Sequence, residues 1–247
     1  MRKIVKRYQQ RTHEYVLWTI RCLLIGSIII NLVYIILDLF DQNLAANSSL
    51  LMTSIEKNIT IIFWAIVTFA ITFLHDYFEK NKKIHIPDIL ESIIIIFIYA
   101  GIFLSARFNL YDDVFWWDVV LHTASGVILG FIGFLLIYKL NSRHSMNISP
   151  LLVAVFAFTF AVTMDVIFEI YEFLMDVIFG TDMQSWNLPE RTIEIGRTFQ
   201  GIGLRDTMSD LIFDTIGALL ISVICYFLYK NEKKKALRLM HEVFPDE

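Results

Sequence analysis

The chain has 247 residues, 56% of them hydrophobic, with four prolines and a mean hydropathy of +0.59, values that exclude an ordinary soluble domain and a disordered chain. A formal net charge of −4 excludes nothing by itself and gives no reason to expect a nucleic-acid partner; how the charges are distributed carries the information. The two cysteines, Cys22 and Cys225, both sit in apolar runs, so neither a disulfide framework nor a CxxC metal or redox motif is available.

In chain order, a basic lead (Arg2, Lys3, Lys6, Arg7, Arg11) precedes an apolar run too long for a signal-peptide core, which predicts a retained helix. Runs near the length of about 20 residues that a spanning helix needs follow at 16–37, 59–74, 89–110, 119–140, 151–175 and 207–229. They predict an all-α, six-helix transmembrane bundle forming a single integral membrane domain over 1–247. With the N-terminus cytoplasmic, the inner segments (the N-tail, 75–88, 139–150 and the tail from 230) hold 15 of the 21 Lys and Arg. The positive-inside rule therefore places both termini in the cytoplasm of a cell whose plasma membrane the chain crosses. The segment 176–205, with Trp186, Pro189, Gly196, Gly201 and Gly203, reads as a folded-back outer loop with a short interfacial helix.

Helices one to three carry few intramembrane polar residues, chiefly Arg21, Asn31 and Glu91, and read as scaffold, with Arg21 and Glu91 snorkelling to the inner surface. The last three are different. Helix four opens with Asp118 and reaches His122 one turn later on the same face. Helix five carries Asp165, Glu169, Glu172 and Asp176 toward its outer end, and helix six opens with Asp206, Asp210 and Asp214 at i, i+4, i+8. At 1.5 Å per residue, Asp214 lies roughly 12 Å below Asp206, too deep for a cap or a solvated loop acid. Asp118 and Asp206 stand where an N-cap belongs; Asp176 reads as a solvated loop acid, and Asp165 as a helix–helix hydrogen bond or a partner behind the site.

Three segments thus bring acids to one depth on one side, although each charge at a helix centre costs about 2.5–3.5 kcal/mol. Glu169, Glu172, Asp210 and Asp214 cannot all stay ionised there without shared protons, loop arginines or a bound metal. One His among several carboxylates suits a hard, oxygen-rich site for Mg, Mn, Fe or Zn. Asp118, His122, Asp206, Asp210 and Asp214 are the candidate metal ligands, and Glu169 and Glu172 the candidate catalytic acids or bases. Gly126, Gly130 and Gly133 with Ser125 on helix four, and Gly217-Ala218 on helix six, supply small faces for tight packing, so residues 117–220 form the expected functional core.

Asp118-x-x-x-His122 with Gly126, Glu169-x-x-Glu172 and Asp210-x-x-x-Asp214-x-x-Gly217 resemble the motifs of the VanZ-like membrane proteins, and the six-helix layout is similar to their YjdF-type members. The resemblance spans Trp117 to Leu220; Glu172 and Asp214 stand where Gln and Asn are commoner in VanZ-like proteins, which makes this site more acidic. It implies work at the cell envelope or a lipid surface and brings no reaction with it. Three functions fit: a metal-dependent hydrolase or transferase on a lipid headgroup or lipid-linked precursor, a cation- or proton-coupled transporter, and an envelope scaffold with a structural ionic cluster.

The charge asymmetry makes the topology testable. In a background lacking Cys22 and Cys225, a membrane-impermeant maleimide applied outside the cell should label a cysteine at Ser185 and spare one at Ser142; the opposite pattern would invert the orientation.

Overall fold

The computed structural model describes residues 2–41, 48–73, 88–144, 147–185 and 201–231. Six helices among these residues are long and apolar enough to cross a membrane, and no strand occurs among them. They are α1 (Arg2–Phe40), α2 (Ser48–Ile71), α3 (Asp88–Phe108), α4 (Trp117–His144), α5 (Pro150–Phe179) and α6 (Ile202–Asn231). The short helix expected in the outer loop, the inner segment at 75–87 and the basic tail beyond residue 231 lie outside the described residues.

The helices overrun the apolar runs at most ends, for local reasons. α2 begins eleven residues before its run because its polar start satisfies itself: Thr53 Oγ1 donates to the Ser49 carbonyl at 3.0 Å, and Asn58 Nδ2 to the Ser54 carbonyl at 2.9 Å. α5 starts where Ser149 accepts from the Leu152 amide at 3.3 Å with Pro150 at the first helical position, and ends at Gly180, which takes the left-handed conformation at φ 66°. α6 begins at Ile202, a turn earlier than expected, because Leu204 and Arg205 propagate a helix well. Neither Asp206 nor Asp118 is therefore an N-cap: both lie inside their helices.

The helices fall into two compact units, one within Met1–Val114 and one within Phe115–Ala236. In the first, α1 packs on α2 and α3 around Ile20, Leu24, Ile61, Ala65, Ile95 and Phe103. Its polar residues act within the unit, and the snorkelling expected of Arg21 and Glu91 gives way to specific pairing. Arg21 donates from Nε to Thr72 Oγ1 at 3.0 Å and from its guanidinium to the Thr72 carbonyl at 2.7 Å, closing the C-terminal end of α2, with Phe73 stacked beneath it at 4.0 Å. Glu91 is buried and meets His13 Nε2 at 3.1 Å, while His13 Nδ1 lies 3.1 Å from Ser92 Oγ. α3 contains a π-helical turn at Tyr99–Leu104, where Ser105 Oγ donates to the Ala100 carbonyl at 3.0 Å.

In the second unit α4, α5 and α6 each pack against the other two. Glycine sets their spacing. A Cβ at Gly126 would collide with the Asp214 carbonyl oxygen of α6 and stand 2.9 Å from the Ala218 nitrogen. One at Gly217 would collide with the Thr123 carbonyl oxygen of α4, and one at Gly133 would meet Ala157 Cα of α5 at 3.1 Å. The three backbones thus come closer than larger residues permit, as in small-residue seams of membrane helices. At the end away from the acids, Asn141 Nδ2 donates to the Tyr229 hydroxyl at 2.9 Å and Tyr138 packs edge-on against the Tyr229 ring. The outward faces of all six helices carry Leu, Ile, Val and Phe, the surface that lipid covers.

If the seam holds α4 on α6, Gly126→Ala should cost about 1–3 kcal/mol through overpacking and lower the melting temperature in detergent. Gly26→Ala, with no atom within 4 Å of the added methyl, should melt like the parent or slightly higher. Equal melting of parent and Gly126→Ala would contradict the close contact.

Candidate functional site

The Gly126–Gly217 seam brings the first turns of α4 against the acid stripe of α6, and His122 stands at the centre. Its Nδ1 lies 3.0 Å from Asp214 Oδ2, while Nε2 faces Asp118 Oδ1 at 3.4 Å and Asp210 Oδ1 at 3.7 Å. Asp118 shares the His122 face by the i, i+4 spacing, and Asp210 and Asp214 present successive turns of α6 to the two sides of the ring. Asp210 and Asp214 are buried, whereas the Asp118 side chain is 31% exposed and forms the open side.

Two states of the ring satisfy this arrangement. An imidazolium would donate on both sides; a neutral ring would donate Nδ1–H to Asp214 and leave its Nε2 lone pair facing Asp118 and Asp210. In the second state Asp118, His122 and Asp210 each offer one ligand atom, all within 4.8 Å of one another, so the three could hold one metal ion. Asp214 then sits on the far side of the imidazole, where a carboxylate fixes the tautomer and orientation of a ligating histidine.

Behind Asp214 the polar contacts continue. Ser125 Oγ makes a short hydrogen bond with Asp214 Oδ1, and it also lies 2.9 Å from the His122 carbonyl oxygen and 3.3 Å from Asp165 Oδ1. Asp165 is thus a helix–helix contact from α5 that also backs the His122–Asp214 pair. Glu169 and Glu172, both buried, face His122 from α5. Neither carboxylate oxygen of Glu169 has a hydrogen-bond partner of ordinary geometry, although the Thr207 hydroxyl is turned toward it. Asp206 lies a turn above Asp210, near Asp118, and its carboxylate bonds with Ser185.

Asp176, expected to be a solvated loop acid, is instead the anchor of a turn. Its Oδ1 accepts from Thr181 Oγ1 at 2.6 Å and the Met183 amide at 2.8 Å, and Oδ2 accepts from the Gln184 amide at 2.9 Å. Gln184 Nε2 then donates to Thr207 Oγ1 at 2.7 Å, fastening the turn to the start of α6 beside the acids. Gln184 and Thr207 carried no signal in the sequence, because an uncharged pair 23 residues apart matches no spacing rule. The Asp-x4-Thr spacing before a glycine-ended helix was the one hint at the turn.

A family model described as "Predicted membrane protein (DUF2238)" matches residues 20–231, and the chain belongs to that family. An uncharacterized protein of Thermotoga maritima is 29% identical over 149 residues, covering 60% of this chain and 68% of the relative. No solved structure matches the chain.

The Asp176 turn predicts a local effect. Asp176→Ala removes three hydrogen bonds, each worth about 0.5–1.5 kcal/mol, and should open residues 181–185 to limited proteolysis in the detergent-purified protein. Asp176→Asn, which keeps one acceptor oxygen, should open them less. Unchanged cleavage in Asp176→Ala would show that the turn holds without its carboxylate.

Proposed function

We propose that this member of the DUF2238 membrane protein family binds one divalent cation between Asp118, His122 and Asp210, and uses it in hydrolysis or group transfer at a lipid headgroup or lipid-linked envelope precursor. The observation that carries this reading is the division of labour around His122: Asp214 on Nδ1 at 3.0 Å, with Nε2 turned toward two further carboxylates. A carboxylate behind a ligating histidine is the usual way of orienting it. One imidazole and two carboxylates are a donor set for Mg, Mn, Fe or Zn.

A cation held there supplies a Lewis acid for a phosphoryl or acyl oxygen and lowers the pKa of bound water. Glu169 and Glu172 supply a general base within the same pocket. Asp206, a turn above, extends the ligand set toward the open side. The Lys and Arg distribution supports a reading in which this end of α4, α5 and α6 lies at the outer leaflet of the plasma membrane with both termini cytoplasmic. The resemblance to VanZ-like proteins supports envelope chemistry, with 117–220 as the functional core of a single membrane domain.

The contact of Ser125 with both Asp165 and Asp214 favours a second reading, a proton- or cation-coupled transporter, because it carries the polar contacts inward. A relay needs acids across the whole membrane, and beyond Asp165 and Asp214 the inner halves of α4, α5 and α6 hold none. A third reading makes the cluster a structural ionic network within an envelope scaffold.

Metal content and melting temperature of purified variants separate these readings. The parent should carry a tightly bound divalent ion; His122→Ala and Asp210→Asn should lose it, and Asp210→Asn, a near-isostere, should remain folded and membrane-inserted. Metal-free parent protein, with Asp210→Asn as stable or more so, would support the structural network, since neutral isosteres of buried charges are often stabilising. Cation flux in proteoliposomes without any hydrolysis would support transport.

A further inference from the structure

Glu169 is 5% exposed, and neither of its carboxylate oxygens has a hydrogen-bond partner of ordinary geometry, with the Thr207 hydroxyl turned toward it. Glu172, one turn further on the same face of α5, is 7% exposed. Among the described residues no Lys or Arg forms an ion pair with either, and the charges they face besides His122 include Asp118, with Asp214 near Glu169 and Asp206 near Glu172. A buried carboxylate pair in acidic surroundings is answered either by protons or by a cation, and a cation that brings its own N–H donors answers both the charge and the open acceptor oxygens.

The chemistry of that cation follows from what the niche lacks. Among the described residues the His and acid groups close enough to share a metal ion comprise Asp118, His122 and Asp210 alone; Glu169 and Glu172 have no third such ligand within reach. With only two carboxylates, a hard divalent ion here would have to draw most of its ligands from water or substrate. An ammonium group needs only a few acceptors for its N–H bonds and carries one charge, which one ionised carboxylate matches. Beside the pair on α5, Phe168 and Tyr171 stand 47% and 47% exposed with ring centroids 5.9 Å apart, aromatic surface of the kind that lies at a membrane interface and attracts cations. Val166, Ile170 and Phe173 form apolar, exposed surface on the other side of the pair.

We infer that Glu169 binds the ammonium of a lipid headgroup that carries a phosphate beside a primary amine, with the phosphate directed toward Asp118, His122 and Asp210. The inference rests on the cation-dependent reading above for the phosphate end and on the Glu169 geometry for the ammonium end. Glu172, nearer the open end, then remains the base, and Glu169 is a specificity residue.

The test uses full-length protein in nanodiscs or detergent with defined lipid. Phosphatidylethanolamine should bind about tenfold tighter than phosphatidylglycerol, measured by native mass spectrometry and by shift in melting temperature. Glu169→Gln should abolish that preference while keeping its metal. Equal binding of the two lipids by the parent, or a preference that survives Glu169→Gln, would overturn the proposal. So would a second equivalent of divalent metal in the parent that Glu169→Gln loses, or equal protection by free O-phosphoethanolamine, which would place the ligand in solution. The parent lipid comparison decides the question without the variant if Glu169→Gln does not fold. An ethanolamine preference that depends on Glu169 in a metal-free parent would leave the ammonium pocket standing and remove the metal reading, so the two fail separately.

Discussion

Carboxylates sunk into a bilayer have to be answered by something within the protein, and here the answer begins with His122 wedged between Asp214 and the Asp118–Asp210 pair. That wedge exists because α4 and α6 touch backbone to backbone at Gly126 and Gly217. A side chain at either glycine would push the helices apart and leave the ring short of one carboxylate or another. The acids of α5 are added to this seam from the side: Ser125 brings in Asp165, and Gly133 against Ala157 sets how near α5 stands. Packing and electrostatics are therefore one constraint in this unit.

Much of this was readable from the chain. The number of apolar runs follows from length and hydropathy alone, and the common depth of Asp118, His122, Glu169, Glu172, Asp210 and Asp214 follows from residue rise once the helices alternate in direction. The start of α5 at Pro150 fell beside the first residue of its apolar run, whereas its end at Phe179 lay beyond the run that hydropathy closes at 175, because Gly180 and not polarity terminates it. The start of α2 was not, because Thr53, Asn58 and Thr60 bond to carbonyls of their own helix and let polar sequence remain helical where hydropathy ends it. Which side of His122 each aspartate takes was equally hidden: Asp210 and Asp214 share a stripe, and only the crossing of α6 on α4 decides that one meets Nδ1 and the other faces Nε2. Charge alone also misjudged Asp176 and Arg21, since an ionisable residue near a helix end reads as solvated or snorkelling until its backbone partners are known.

The two units use polar residues differently. In the first, Arg21 closes the end of α2, Ser54 Oγ donates to Asp38 Oδ2 at 2.6 Å, and His13 meets Glu91, each a contact at or near the end of one of the two helices it joins. In the second, polar groups gather at one end of three helices and continue inward to Asp165, with partners left over on Glu169. Buried polar groups that are fully partnered stabilise a fold, whereas a buried group with spare acceptors calls for a proton, a water or an ion to complete it.

The bond from Gln184 to Thr207 has a consequence for how this protein can vary. Because those two side chains meet, the connection between α5 and α6 leaves the mouth of the acidic pocket and returns to the same point. Its closure is fixed by a clasp in the helical frame, and lengthening such a loop costs little more entropy once its ends are joined. Residues can be gained or lost there without moving Asp118, His122 or Asp210. A change in the length of that connection is thus separated from the acid cluster, because the clasp holds the start of α6 beside the end of α5 whatever lies between them.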